Sequence, residues 1–278
     1  MKKIALVTGA NSGMGFATTR LLSENGYIVY AGVRRSEAAT LMNETASALN
    51  LPIFPVHLDV TDNESIKLAI NTIARKEGQL DVLVNNAGYG LVASVEEGTD
   101  EEFINQFDVN VFGVLRTCRE VIPMMRQQNA GTIINISSFL GKMGLPLLTH
   151  YNATKYAVEG ITDSLRYELH PFNIKVHTVA PGLFKTGFVK HGLSANSATL
   201  AESSPYASQA STLLPIVSDK VNNGPTPDAV AQSVLEVLLD QNAPARTPAG
   251  DDSTFFSNLA DSLSQEAFEA SVREQLGL

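Results

Sequence analysis

At 278 residues and 44% hydrophobic content, the chain can bury a sizeable core, as one large α/β domain or two small ones. A net charge of −9, with no basic cluster beyond Arg34-Arg35, argues against nucleic acid or an anionic membrane surface as partner. Cys118 is the single cysteine, which excludes an internal disulfide or a cysteine-based metal site; five scattered histidines suggest no metal cluster either.

Ile4 to Thr8 is a short apolar run that reads as a buried strand, and Gly9-Ala-Asn-Ser-Gly13-Met-Gly15 follows it. Gly9, Asn11 and Ser12 break the apolar run too early for a signal peptide. No later run reaches the roughly 18 apolar residues of a membrane-spanning helix. A soluble, cytoplasmic protein is expected. Phe16 to Asn25 has helical spacing and stops at Gly26, and Ile28 to Val33 is a second strand. A glycine-rich first turn in a β-α-β unit lets backbone approach a pyrophosphate seated on the helix N-terminus.

Ser36 to Leu49 reads as a helix and Pro52 to Val56 as a third strand. Thr61 or Asp62 can cap a helix that runs to Lys76. Val82 to Val84 is a fourth strand, ending in Asn85-Asn86-Ala87-Gly88. A long helical region opens at Thr99-Asp100 and reaches about Gln128, with a kink expected at Pro123. Thr132 to Ile136 is the fifth strand, Tyr151 to Leu169 a helix and Lys175 to Ala180 the sixth strand. Strands alternating with helices predict a single Rossmann-type, doubly wound parallel sheet with helices on both faces. Residues 183–225 show no strong period and are expected to hold short helices and act as a substrate-binding lid. Thr226-Pro227-Asp228 starts a helix to Leu239, and Ala245 to Pro248 is a seventh, edge strand. Residues 251–278, with six acids and one arginine, read as one or two terminal helices.

Chemistry concentrates after the fifth strand, in Asn135-Ile-Ser-Ser138 and then His150-Tyr151-Asn-Ala-Thr-Lys155. Tyr151 and Lys155 share one helix face. An ammonium beside a phenol favours the phenolate, so Lys155 is expected to lower the tyrosine pKa from about 10 towards working pH. Ser138 stands at the strand's carboxyl end, where its hydroxyl can meet the tyrosine. Tyrosine and lysine at helical spacing are commonly surface residues. The order strand, serine, loop, tyrosine, lysine is far more specific.

That order resembles the active-site signature of the short-chain dehydrogenase/reductase family, and four other motifs fall in the family's order. They are Thr8-Gly9-x-x-x-Gly13-x-Gly15, Asp59-Val60, Asn85 to Gly88 and Pro181-Gly182. The resemblance covers roughly residues 3 to 250. It implies Tyr151 as general acid/base, Lys155 as the residue that tunes it and bonds the nicotinamide ribose, and Ser138 as the hydrogen-bond donor to the substrate oxygen. Ser137 is the near miss. Asn110 matches an asparagine that holds a proton-relay water; the alternative is a polar side chain satisfying a helix kink.

The resemblance also implies cofactor contacts at Gly9, Asn11, Ser12, Gly13, Met14 and Gly15, and at Asp59 and Val60. Asn86, Ala87 and Gly88 would flank the adenosine ribose, while Asn85 braces the sheet. Pro181, Gly182 and Thr186 would approach the nicotinamide, with Tyr151 and Lys155. Asp59 could instead be a helix cap placed early.

At the end of the second strand Val33 stands where an NAD-preferring site carries an acid, and Arg34 follows. A guanidinium can grip a 2′-phosphate with two parallel bonds, so NADP(H) is expected. Arg35 can help or simply be solvated. Ser12, where many NADP-preferring relatives carry a basic residue, softens the preference. In an NAD enzyme Arg34 would stack on adenine from the surface.

The lid's Phe184, Phe188, Val189, Leu193, Leu200, Tyr206, Leu213, Leu214 and Ile216 point to a lipophilic substrate. Arg246-x-Pro248-x-Gly250-x-Asp252 is similar to a pattern in steroid- and retinol-dehydrogenase-like members. An NADP-dependent oxidoreductase acting on a carbonyl or alcohol, with reduction as its direction, is therefore expected. The alternative is a non-catalytic nucleotide-sensing or partner-binding protein. His150, Cys118 and Met124-Met125 read as packing. A homodimer or homotetramer is expected, with Leu115, Cys118, Val121 and Ile122, and Ala157, Ile161 and Leu165, offering apolar positions for the interface.

Overall fold

A computed structural model describes residues 2–186 and 192–276. Seven parallel strands form the central sheet: β1 (Ile4–Thr8), β2 (Ile28–Val33), β3 (Ile53–His57), β4 (Val82–Asn85), β6 (Gly131–Ile136), β7 (Ile174–Pro181) and β9 (Arg246–Ala249). Their spatial order is β3-β2-β1-β4-β6-β7-β9. The order reverses between β1 and β4, and there a crevice opens at the carboxyl ends of the strands.

The strands sort their side chains with period 2, so nearly continuous apolar runs feed two separate cores. Ala5, Val7, Val29, Ala31, Val33, Val82, Val84, Ile134 and Ile136 face one core. There they meet α1 (Gly13–Glu24), α2 (Ser36–Leu49) and α9 (Asp228–Leu239). Ile4, Leu6, Tyr30, Leu83, Ile133 and Val176 face the other core. There they meet α3 (Asn63–Glu77), α5 (Gly113–Gln128) and α6 (Thr149–Leu169). The result is the expected doubly wound sheet with helices on both faces.

Several local expectations need correction. Helix α1 starts at Gly13, inside the glycine-rich turn, three residues before the apolar spacing begins. Asp62, not Thr61, caps α3, accepting from the Glu64 amide at 2.9 Å. The long helical region does not kink at Pro123, which lies within an uninterrupted α5. The break is a π-turn over Asp108–Phe112, between α4 (Asp100–Phe107) and α5, with Asn110 at its centre. Such turns occur at functional sites because the widened ring displaces one residue from the helical register. Residues 193–222 hold β8 (Leu193–Ala195), the four-residue α7 (Ser197–Leu200) and one full helix, α8 (Ala207–Asn222), whose Pro215 and polar residues hide its period. β8 pairs in parallel with β5 (Gly90–Val92) as a separate two-stranded sheet.

The carboxyl-terminal stretch forms α10 (Asp251–Ser262) and α11 (Gln265–Leu276). Phe256, Leu259, Phe268 and Val272 join a third apolar cluster with Leu140, Met143, Leu145, Leu147 and the α8 residues Leu213, Leu214 and Val217. The proposed interface positions are only partly available. Cys118, Val121 and Leu165 are buried against the sheet, whereas Leu115 is exposed, as are Phe112 and Ile104. Among the described residues no helix is long and apolar enough to cross a membrane.

Candidate active site

A cavity of about 430 Å³ runs along the crevice, from Arg34 and Arg35 at one end to Leu213, Leu214 and Val217 at the other. The β1–α1 turn forms its floor. Gly9 and Gly13 take positive φ, 64° and 53°. A Cβ on Gly9 would sit 2.9 Å from the Ala87 backbone. Gly9, Asn11, Ser12, Gly13 and Met14 line the cavity. Gly15 does not; a Cβ there would lie 2.4 Å from the Gly9 carbonyl oxygen, so it is a packing glycine within the turn. Ser12 caps α1 without a side-chain hydrogen bond, and no acid occupies the first helical turn. Among the described residues no cap side chain and no first-turn acid neutralises the positive end of the helix dipole.

The Asn85–Gly88 segment divides its work. Asn85 bonds Asn135 at 2.9 Å and accepts from Thr117 at 2.6 Å, bracing the sheet under the site. Asn86 spends its amide on the Thr8 and Gly9 carbonyls at 2.9 and 3.2 Å, and so holds the glycine turn in shape. Asn86, Ala87 and Gly88 line the cavity, as do Asp59 and Val60. The Asp59 carboxylate accepts from the Thr61 amide and hydroxyl through one oxygen, Oδ1, so it makes a local turn without capping α3. Arg34 and Arg35 are exposed and form no ion pair among the described residues.

Ser138, Tyr151 and Lys155 meet at the middle of the cavity. Ser138 follows β6 and is buried; its hydroxyl accepts from the Leu140 amide at 3.1 Å and hydrogen-bonds the Tyr151 phenol. Lys155 donates to the Ile136 carbonyl at 3.0 Å, with its ammonium 5.6 Å from the centre of the Tyr151 ring. The expected electrostatics is corrected here. Desolvation pushes the Tyr151 phenol up to about 12, and Ser138, not Lys155, pulls it back down. Burial also lowers the Lys155 ammonium to about 8, against the opposing pull of the Glu159 carboxylate. Loss of hydration is the largest cause at both groups because both sit deep in the crevice.

Asn110 is brought close but does not line the cavity. Its Oδ1 accepts from the Tyr89 amide at 3.0 Å, and its Nδ2 donates to the Tyr89 carbonyl at 2.8 Å and the Thr154 hydroxyl at 3.1 Å. Thr154 in turn donates to the Tyr151 carbonyl at 2.7 Å. The side chain therefore bridges the π-turn, the segment after β4 and the tyrosine's helix.

On the opposite wall, Pro181, Gly182 and Thr186 line the cavity, with Thr186 lying across from Gly13. A Cβ on Gly182 would run into the Asp252 carboxylate at the start of α10, which accepts from the Leu183 amide at 2.7 Å. Of the apolar residues singled out in the sequence, Phe184, Leu193, Leu213 and Leu214 line the cavity. Leu200 is exposed, Tyr206 donates to Glu96 at 2.9 Å, and Ile216 packs in the third cluster. Phe188 and Val189 lie outside the described residues.

Sequence reasoning missed Tyr89, Val92 and the loop Leu145-Pro-Leu-Leu148, all of which line the cavity. The unusual density of leucine between Ser138 and Tyr151 was the available signal. Leu147 takes a left-handed φ of 62°, and its carbonyl accepts from the Ala93 amide at 2.8 Å. A non-glycine residue in that region costs of order 1 kcal/mol and marks a position held by its surroundings.

A doubly wound sheet with a glycine turn at its switch point and a Ser-Tyr-Lys cluster over the crevice defines a nucleotide-dependent oxidoreductase. The short chain dehydrogenase sequence profile matches residues 3–196, and the chain belongs to that family. It is 38% identical over 249 residues to a 3-ketodihydrosphingosine reductase of Bacteroides thetaiotaomicron, covering 89% of this chain and 88% of the relative. A short-chain dehydrogenase from Streptomyces avermitilis superposes with a TM-score of 0.82 at 33% identity, covering 100% of this chain and 97% of its own. ElxO with NADP bound superposes with a TM-score of 0.77 at 28% identity, covering 92% of this chain and 100% of its own.

The cavity fits the dinucleotide that the family implies. Two positive-φ glycines leave room for a close backbone approach, a helix start without a side-chain cap bond faces the cavity, and two guanidinium groups with no ion pair among the described residues stand at its far end.

Proposed function

We propose that this oxidoreductase is NADP(H)-dependent and interconverts a lipophilic ketone or aldehyde with its alcohol, with reduction as the working direction. The observation that carries the reading is one continuous cavity with Arg34 at one end, Ser138, Tyr151 and Lys155 in the middle, and leucines at the other end. Hydride donation is the chemistry that a reduced nicotinamide supplies when bound. Tyr151 acts as the general acid: with its phenol held near 12, it keeps its proton at neutral pH until a carbonyl oxygen gains negative charge. Ser138 hydrogen-bonds that same oxygen and orients the phenol. Lys155, whose ammonium lies 5.6 Å from the centre of the ring, would bond the nicotinamide ribose.

Gly9, Asn11, Ser12, Gly13 and Met14 would hold the pyrophosphate, and Asp59 and Val60 the adenine. Asn86, Ala87 and Gly88 would flank the ribose, and Pro181, Gly182 and Thr186 the nicotinamide. Arg34, with Arg35 beside it, would pair with the 2′-phosphate, since Val33 offers no acceptor for a 2′-hydroxyl. The described part of the 183–225 stretch acts as the lid in this reading, and Leu147, Leu193, Leu213, Leu214 and Val217 form a wall suited to alkyl chain. The name of the Bacteroides reductase and the NADP of the ElxO structure point the same way. The chain is further expected to form a homo-oligomer, for which light scattering at micromolar concentration is the check.

The test is consumption of NADPH and of NADH with ketones and aldehydes of increasing alkyl length. NADPH should be oxidised with kcat/KM rising as the chain lengthens. Turnover that is faster with NADH, or that falls with chain length, would reject the corresponding half of the proposal.

A further inference from the structure

We infer that Arg246 is a positioning residue for Ser138, held in place by Glu159, and that the pair locks the serine's backbone to the helix that carries Tyr151 and Lys155. The inference rests on the reading of Ser138, Tyr151 and Lys155 as the reacting cluster.

The last backbone rung between β6 and β7 is the Ser137 amide donating to the Val179 carbonyl at 2.8 Å. Ser138 lies beyond it and is not held by the sheet. Its carbonyl accepts instead from the Gly141 amide at 2.9 Å, inside its own tight turn, and from Arg246 Nη2 at 3.1 Å. Arg246 is therefore the long-range tie on the serine's carbonyl. The same guanidinium donates through Nε to Glu159 Oε1 at 3.1 Å and through Nη1 to Ser257 at 3.4 Å. The second Glu159 oxygen accepts from Thr178 at 3.0 Å.

Glu159 follows Lys155 by one helical turn, and the two pair members expose only 15% and 12% of their side chains. The turn after the serine also rests on this pair: a Cβ on Gly141 would come within 3.0 Å of Glu159 and 2.8 Å of the Ser137 hydroxyl.

A partly buried ion pair contributes little net stability, because desolvation offsets its attraction. It does impose geometry. A planar guanidinium that donates to a carboxylate through Nε and to a carbonyl through Nη2 leaves Ser138 little freedom, and an ammonium cannot reproduce both bonds. Misplacement of a reacting group by about 1 Å can cost about 10²-fold in rate.

The experiment compares Arg246→Met, Arg246→Lys and Glu159→Gln with wild type in kcat, KM, cofactor Kd, thermal midpoint and hydrogen exchange of the peptide spanning residues 136–142. Arg246→Met should lower kcat by ~10–100-fold, leave cofactor Kd within about twofold and speed exchange across that peptide. Arg246→Lys should recover the thermal midpoint through Glu159 yet keep kcat within about threefold of the Met variant, because the Ser138 carbonyl stays unheld. A kcat that returns with the midpoint in the Lys variant marks a merely structural role and overturns the inference, as does unchanged exchange in Arg246→Met. If Arg246→Met does not fold, Glu159→Gln carries the same test, with faster exchange expected at the serine turn and unchanged exchange overturning it. The exchange measurement needs no turnover. Wild type that reduces no carbonyl would defeat the proposed function, while the exchange result still decides the clamp.

Discussion

The two ends of the cavity are made by different means. The Gly9–Met14 end is built from consecutive residues, with Gly9 and Gly13 in backbone conformations that glycine adopts cheaply, tied to a single neighbouring strand end through Asn86 and Thr8. The Ser138–Tyr151 end is assembled from β6, α6, the 139–148 loop, α8 and the strand and helix at the carboxyl terminus. The first end presents amides and a helix dipole, which serve any phosphate. The second presents one phenol with its supports, and its shape depends on side chains more than a hundred positions apart. A turn that seats a pyrophosphate can thus be specified locally, while a reaction centre and its substrate wall cannot.

Substitutions that act on one end alone would break that comparison if they spread to the other. Tyr151→Phe removes only the acidic hydroxyl and should lower kcat by ~10²–10⁴-fold with cofactor Kd unchanged. Single-turnover kinetics with a fluorescence titration of the cofactor read both values. Near wild-type turnover would remove Tyr151 from its role.

Lys155→Met tests how much stability the reaction centre gives up for its chemistry. Burial lowers the lysine from 10.5 to about 8. Between those pH values the unfolded chain binds a proton that the folded chain lacks, so stability rises with pH across that window, and below about 8 the whole penalty is present. The shift corresponds to about 3 kcal/mol, less about 1 kcal/mol for the bond to the Ile136 carbonyl. The variant, inactive, should therefore melt several degrees higher than wild type at neutral pH, and the advantage should shrink towards pH 10.5. Calorimetry at both ends of the range checks the sign; a variant that melts lower at neutral pH contradicts it.

At the opposite end, Arg34→Ala should reduce kcat/KM for NADPH by about tenfold, mainly through KM, and leave the NADH value nearly unchanged. Steady-state kinetics with both nucleotides on one substrate decides this. An unchanged preference would reassign Arg34 to the solvated surface. The smallest effect is expected at the outer rim, where Tyr206→Phe loses only the bond to Glu96; kcat/KM should stay within about twofold. A larger change, measured with a long-chain ketone, would mean that the β5–β8 side of the lid controls entry.

The sequence alone was enough for the parallel sheet, the glycine turn, the serine-tyrosine-lysine order and the edge strand at Arg246. Each of these is written within a few consecutive residues: period-2 apolar runs, glycine where φ is positive, i and i+4 on one helix face. It could not show that the tyrosine's pKa rises, because burial by loops and helices distant in sequence sets the desolvation that outweighs the bond from Ser138. It offered a helix kink at Asn110 only as an alternative, because the bonds that hold Asn110 in the π-turn come from Tyr89 and Thr154, which lie 21 and 44 positions away. Nor could it reveal α8 beneath Pro215, or the grip of Arg246 on Ser138 across 108 positions. Those depend on which surfaces meet once the sheet has formed, and no local pattern in the chain encodes them.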